Sequence, residues 1–151
     1  GKLYNWYAVE TGKLCPTGWH VPTDAEWTVL TDYLAANGHS GTEGTALKAT
    51  SGWDDSWDGT SGNGTDDYGW NGLPGGIRSS VDGRFYAVPS SLLSNTSKVG
   101  EYGYCGSWLS FTNTKGWLFL GYSYSLSRKS DSLHEDISEK EEGFSVRCLR
   151  D

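Results

Sequence analysis

No stretch of the chain approaches the roughly 20 consecutive apolar residues that a membrane-spanning helix needs, so insertion by such a helix is not expected. Cysteine is scarce: Cys15, Cys105 and Cys148 are the three present. They form no Cys-x-x-Cys pair, their spacing matches no zinc site, and an odd count leaves one thiol unpaired or joined between chains. Positive charge is also short. With 12 Lys and Arg against 19 Asp and Glu, the net charge is −7. That balance disfavours nucleic acid and anionic membrane surfaces, because phosphate recognition needs Lys and Arg clustered on one face. No secretory leader or lipid-attachment motif is visible. Gly1 runs straight into a strand-like segment, which reads as a domain excised from a longer protein, with any export or anchoring signal upstream.

Apolar residues make up only 36% of the chain, yet 8 Trp, 9 Tyr and 4 Phe supply large side chains for burial. Disorder is therefore excluded. The length of 151 residues suits one domain over 1–151 with a real core. The 21 Gly residues point to many turns and long ordered loops rather than long helices.

Leu3 to Val9 reads as a short aromatic strand. Thr23-Asp24-Ala25-Glu26 is a capping box, in which the Thr23 side chain accepts from the backbone near Glu26 and Glu26 reaches back to the cap. Trp27, Leu30, Tyr33 and Leu34 recur on one helical face, and Asn37-Gly38 supplies the stop. Thr42 to Thr50 suggests a second, shorter helix. Residues 51–76 form a long Gly-, Asp- and Trp-rich loop, a length that is usually functional or held by specific contacts. Ile77 to Val88 reads as a hairpin about Asp82-Gly83. Tyr102–Thr112, Trp117–Tyr124, Ser132–Ser138 and Gly143–Leu149 read as further strands. Helices first and strands later indicate an α+β domain rather than a parallel α/β sheet.

Four segments together resemble one known family: Leu3-Tyr4-Asn5-Trp6-Tyr7-Ala8, CPTGWHVPTDAEW at 15–27, LPGG at 73–76 and GFSVRCLRD at 143–151. This pattern is similar to the Fibrobacter succinogenes major paralogous domain, common in surface proteins of Bacteroidetes and Fibrobacteres. VPTDAEW and GFSVR also resemble the RLPTEAEW motif and the closing GFRVVR strand of formylglycine-generating enzymes. The resemblance implies a C-type-lectin-like fold: paired N- and C-terminal strands, two helices packed on antiparallel sheets, and a loop-rich second half. It further implies that Cys15 and Cys148 meet as a disulfide, and hence an extracellular setting. Cys105 departs from the family, since GYCGSWLSFT stands where relatives carry a GYYWSST-like stretch.

Catalysis is not expected. The formylglycine-generating enzymes use a copper-binding cysteine pair, and Cys105 has no second cysteine near it in sequence. His20, beside the helix start, reads as a structural hydrogen-bonding residue, and neither it nor His39 is placed against Cys105. No cofactor is expected, with calcium as the open possibility. Asp54, Asp55, Asp58, Asp66 and Asp67 could supply oxygen ligands, but no Glu closes an EF-hand loop and the EPN and WND signatures of calcium-dependent lectins are missing. A solvated acidic loop with Asx turns is the alternative.

Trp6, Trp19 and Trp27 fall in structural motifs and are assigned to the core. Trp53, Trp57, Trp70, Trp108, Phe111 and Trp117 are candidates for stacking on sugar rings. The polar, Ser-rich stretch between Ser107 and Glu142 precedes the fixed-looking GFSVRC strand. It is the expected surface for an extracellular protein or glycan ligand, with Ser107, Trp108, Phe111, Asn113, Tyr122, Tyr124, His134 and Asp136 as the contact residues. The resemblance adds that such a stretch can be diversified by a retroelement, because a rigid backbone tolerates exposed variation. The alternative is carbohydrate binding through the 53–70 loop, with or without calcium.

Overall fold

The chain is seen here in a computed structural model that describes residues 2–87, 105–113 and 118–151. Val88, Tyr102 and Trp117, each the end of an element expected from sequence, lie outside the described residues, as does the side chain of Asn113. The architecture is mixed α+β. Among the described residues there are three α-helices: α1 (Trp6–Glu10), α2 (Asp24–Leu34) and α3 (Glu43–Leu47). The strands are β1 (Trp19–His20), β2 (Ile77–Arg78), β3 (Phe85–Tyr86), β4 (Cys105–Asn113), β5 (Leu120–Ser127), β6 (His134–Glu139) and β7 (Leu149–Arg150).

The first segment corrects the expected strand. Tyr4 alone of the segment pairs as a strand would, exchanging backbone hydrogen bonds with Phe144 at 2.8 and 2.9 Å. The Asn5 side chain then accepts from the Ala8 N–H at 3.0 Å and starts α1. An Asn with a free acceptor before an apolar pair three residues apart is an N-cap signal, here hidden by the aromatic composition. Trp6 and Val9 are the residues that α1 buries.

Helix α2 begins at the expected capping box. The Thr23 hydroxyl accepts from the Glu26 N–H at 3.4 Å, and the Glu26 carboxylate accepts from the Thr23 N–H at 2.8 Å. Trp27 and Leu34 are buried, while Tyr33 is more than half exposed. The helix loosens into a π turn over Ala35–His39, where Gly38 takes φ +93°, a conformation that costs glycine little. In α3 a glycine is required for another reason. A Cβ at Gly44 would stand 2.6 Å from the Ser132 carbonyl oxygen, so this helix packs on residues 131–132 only without a side chain there.

Strands β4, β5 and β6 form an antiparallel sheet in that order, with Trp108 opposite Tyr124 and Tyr122 opposite Ile137. The other edge of β4 bonds to the chain near its end. The Leu109 N–H donates to the Ser145 carbonyl at 3.1 Å, and the Ser145 N–H to that of Ser107 at 3.0 Å. Both edges of β4 are therefore paired, and both of its faces are packed. Trp108 packs with Trp27, Leu34, Leu47, Trp53, Tyr124 and Leu126 in one cluster. Leu109, one residue on, joins Val9, Val21 and Phe144 in another, as the alternation of a strand demands. Trp27 and Tyr124 stack with ring centroids 4.5 Å apart.

The 51–76 loop is held by the contacts its length called for. Trp53 is 5% exposed and its indole N–H donates to the Gly72 carbonyl at 2.9 Å. Backbone bonds tie Gly64 to Ala49, Thr65 to Thr45 and Gly72 to Leu47. The hairpin appears as β2 against β3. Cys15 and Cys148 are joined by a disulfide, 133 residues apart in sequence.

Candidate functional site

The expected contact residues do not gather on one surface. Ser107, Trp108 and Tyr124 are interior, at 4%, 6% and 3% exposure. This corrects their placement on the outside, and the cause is the covering of both faces of β4 and β5. Tyr124 also donates its hydroxyl to the Asp24 carboxylate at 2.6 Å. Burial first, and that carboxylate second, push its pKa up. Tyr122 is half-buried, whereas Phe111, His134 and Asp136 are exposed. Asn113 lies opposite Gly121 in the sheet. On β6, His134 bonds the Ser130 hydroxyl and Asp136 accepts from Ser125. Ile137, opposite Tyr122, alternates onto the other face from these two.

The tryptophans divide differently from expectation. Trp6 and Trp27 are core, but Trp19 is 44% exposed. Of the sugar-stacking candidates, Trp53 and Trp108 are buried, while Trp70 is half-buried beneath the Arg147 guanidinium at 4.2 Å. Trp57 and Phe111 remain accessible.

Three of the five loop aspartates are engaged within their own turns. Asp58 accepts from the Thr60 N–H, Asp66 from the Asn71 N–H, and Asp67 from the Thr65 hydroxyl. Among the described residues, no three His, Cys, Asp or Glu side chains converge as a metal site would need. Cys105 is half-buried, with the Ser107 hydroxyl 3.6 Å from its sulfur. Burial pushes its thiol up, against thiolate formation.

What the fold does assemble is a cavity of about 280 Å³. Its lining comes from Val9 and Gly12 in and after α1, Leu14 and Cys15 at the disulfide, Trp19 and His20 of β1, Val21 and Thr23 before α2, and Phe111 of β4. Two devices shape it. The pairing of β4 with β5 shifts register between Leu109 and Asn113, and the Phe111 N–H leaves the sheet to donate to the Pro22 carbonyl at 2.8 Å. Such irregularities re-aim a side chain, and here Phe111 is turned to the cavity at 43% exposure. On the opposite side, β1 is clamped to β7, Trp19 facing Arg150 and His20 facing Leu149, next to the Cys15–Cys148 bond.

His20 lines the cavity too, with an Asp151 carboxylate oxygen 2.6 Å from Nδ1 and a Glu26 oxygen 2.9 Å from Nε2. An acceptor on each nitrogen fits the imidazolium, which donates from both. The Asp151 hydrogen bond, followed by that of Glu26, raises the His20 pKa. Glu26 is held low, chiefly by the Thr23 N–H. The structural role expected for His20 is thus the one it has. Its partner Asp151, 131 residues away, carried no signal in sequence, and Trp19 was hidden by its place within the CPTGWHVP motif.

The chain matches no curated protein and no solved structure. The family model described as the Fibrobacter succinogenes major domain matches residues 1–150, and the chain belongs to that family.

Proposed function

We propose that this domain is a non-catalytic ligand-binding or adhesion module displayed outside a bacterial cell, and that it seats one apolar group of a protein or glycan ligand between Trp19 and Phe111. The observation that carries the reading is that pair of half-exposed aromatics flanking one apolar cavity. Leaving large apolar side chains in water around a concavity is costly unless something covers them, and such pockets are the usual seats of small ligand groups. The volume, at the small end for ligand pockets, suits one side chain or one sugar ring. The engagement of both His20 nitrogens, and of the Cys15 sulfur in its disulfide, supports a site that binds rather than reacts.

A C-type-lectin-like fold is our reading of the architecture, supported by the pairing of Tyr4 with Phe144 and by the disulfide that joins the two end segments. The same disulfide supports an oxidising, extracellular compartment. Retroelement diversification, within this reading, falls on Phe111, Asn113, Tyr122, His134 and Asp136. Variation at Ser107, Trp108 or Tyr124 would disturb the core instead.

The test is binding to peptide and glycan arrays by the wild-type domain, Trp19→Ala, Phe111→Ala and, as an exposed aromatic control on β3, Phe85→Ala. Each pocket variant should bind the wild-type hits about tenfold more weakly or worse, the cost of one lost aromatic contact of about 1.4 kcal/mol. The control should be unaffected and the unfolding midpoints similar. Unaltered binding by both pocket variants removes the pocket from the function.

A further inference from the structure

A second site lies on the loop between α3 and β2, and it shares no residue with the pocket. Trp57 is 82% exposed, the most exposed tryptophan among the described residues. It is displayed on an ordered turn rather than a loose one. The Ser56 N–H donates to the Thr60 carbonyl at 2.8 Å, the Gly59 N–H to that of Ser56 at 3.0 Å, and the Thr60 N–H to the Asp58 carboxylate at 3.0 Å.

The turn is fixed against the corner between β5 and β6. The Arg128 guanidinium donates to the Asp55 carbonyl at 2.8 Å. A Cβ at Gly62 would stand 2.2 Å from the Asp54 carbonyl oxygen and 2.8 Å from the Arg128 Cβ, so the two segments touch without room to spare. The corner is pinned from below by the buried Lys48, whose ammonium donates to the carbonyls of Ser127 and Ser130 at 3.2 and 3.1 Å.

The arrangement places two cations beside one open indole. The Arg128 guanidinium carbon and the Lys129 ammonium each lie 5.7 Å from the Trp57 ring centroid. An indole face offers a stacking surface for the C–H face of a sugar ring, and Arg and Lys bind carboxylates. We propose that Trp57, Arg128 and Lys129 form a binding site for a sugar ring that bears a carboxylate, of the uronic or sialic type, without calcium. The ring stacks on Trp57 and its carboxylate takes the Lys129 ammonium, while Arg128, bonded to the Asp55 carbonyl, holds the turn in place. Asp58, whose carboxylate turns back onto Thr60, and Asp55 keep the surroundings acidic.

The probes are oligogalacturonate and sialyllactose, with lactose and neutral galacto-oligosaccharide as matched uncharged sugars, titrated by calorimetry in the presence of a chelator. The wild-type domain should bind at least one acidic probe about tenfold or more tightly than its neutral counterpart, with affinity falling as salt rises. Which acidic probe binds distinguishes a uronic from a sialic ligand. Trp57→Ala and Lys129→Gln should each weaken that binding about tenfold, while Phe111→Ala leaves it unchanged. Both loop substitutions are at exposed positions, and unchanged unfolding midpoints confirm the fold. No binding of either acidic probe, equal binding of the neutral sugars, or full binding by Trp57→Ala overturns the proposal. Because the pocket variants are scored separately, either site can fail without the other.

Discussion

The disulfide offers the sharpest test of how this fold is held. Cys15 and Cys148 close a loop of 133 residues. Removing the cross-link restores to the unfolded chain the freedom that the closure took away. The chain-entropy relation for a loop of this length gives about 5 kcal/mol at 25 °C. A typical domain has a total stability of about 5–15 kcal/mol, so the loss is a third or more of the whole. The perturbation is Cys15→Ala with Cys148→Ala, Cys105 being left in place. Urea unfolding of the variant and the oxidised wild type should show a loss of about 4–5 kcal/mol. The dependence on urea should also steepen, because a chain without the cross-link exposes more surface when unfolded. A loss below about 2 kcal/mol with unchanged urea dependence would refute the argument that the bond acts by restricting the unfolded chain.

Two further outcomes follow from the site. The folded-state pKa of His20 is raised, so its contribution to stability is complete below the ordinary imidazole value of about 6.5 and is lost as pH rises through the higher folded value. Thermal unfolding should therefore fall across that interval in the wild type and fall less in His20→Gln; parallel profiles would show that the Glu26 and Asp151 contacts are not felt. Tyr124→Phe removes the hydroxyl that bonds the Asp24 carboxylate, keeps the ring stacked on Trp27, and should cost about 1.5 kcal/mol in urea unfolding; a neutral result would show the bond to be replaced by water.

Much of the local structure was legible because its causes are local. Thr23 and Glu26 form their capping box within one turn of chain, and Asp82-Gly83 turns a hairpin that needs only its neighbours. Asn5 was equally local, but a run of aromatic residues outweighed one polar cap and suggested a strand. The binding surface was less legible. Phe111 was foreseen, yet the register shift that aims it arises from a mismatch between β4 and β5 that neither strand displays alone. Ser107 and Ser123 fall in a stretch that reads as surface by composition but are buried, because β4 and β5, unlike the edge strand β6, are packed over.

What the sequence determined by itself is therefore the family, the capped helix, the hairpin and, through the family's motifs, the cysteine pairing. Each depends on residue types at short spacing or on a pattern carried along the chain. Which aromatics are core and which are open was decided only in three dimensions. Trp19 and Trp27 sit in one continuous motif, yet the first faces outward on a two-residue strand and the second stacks on Tyr124. A side chain's exposure is set by what distant segments bring against it, and Asp151, Phe111 and Arg128 reach their partners only after the chain has closed on itself.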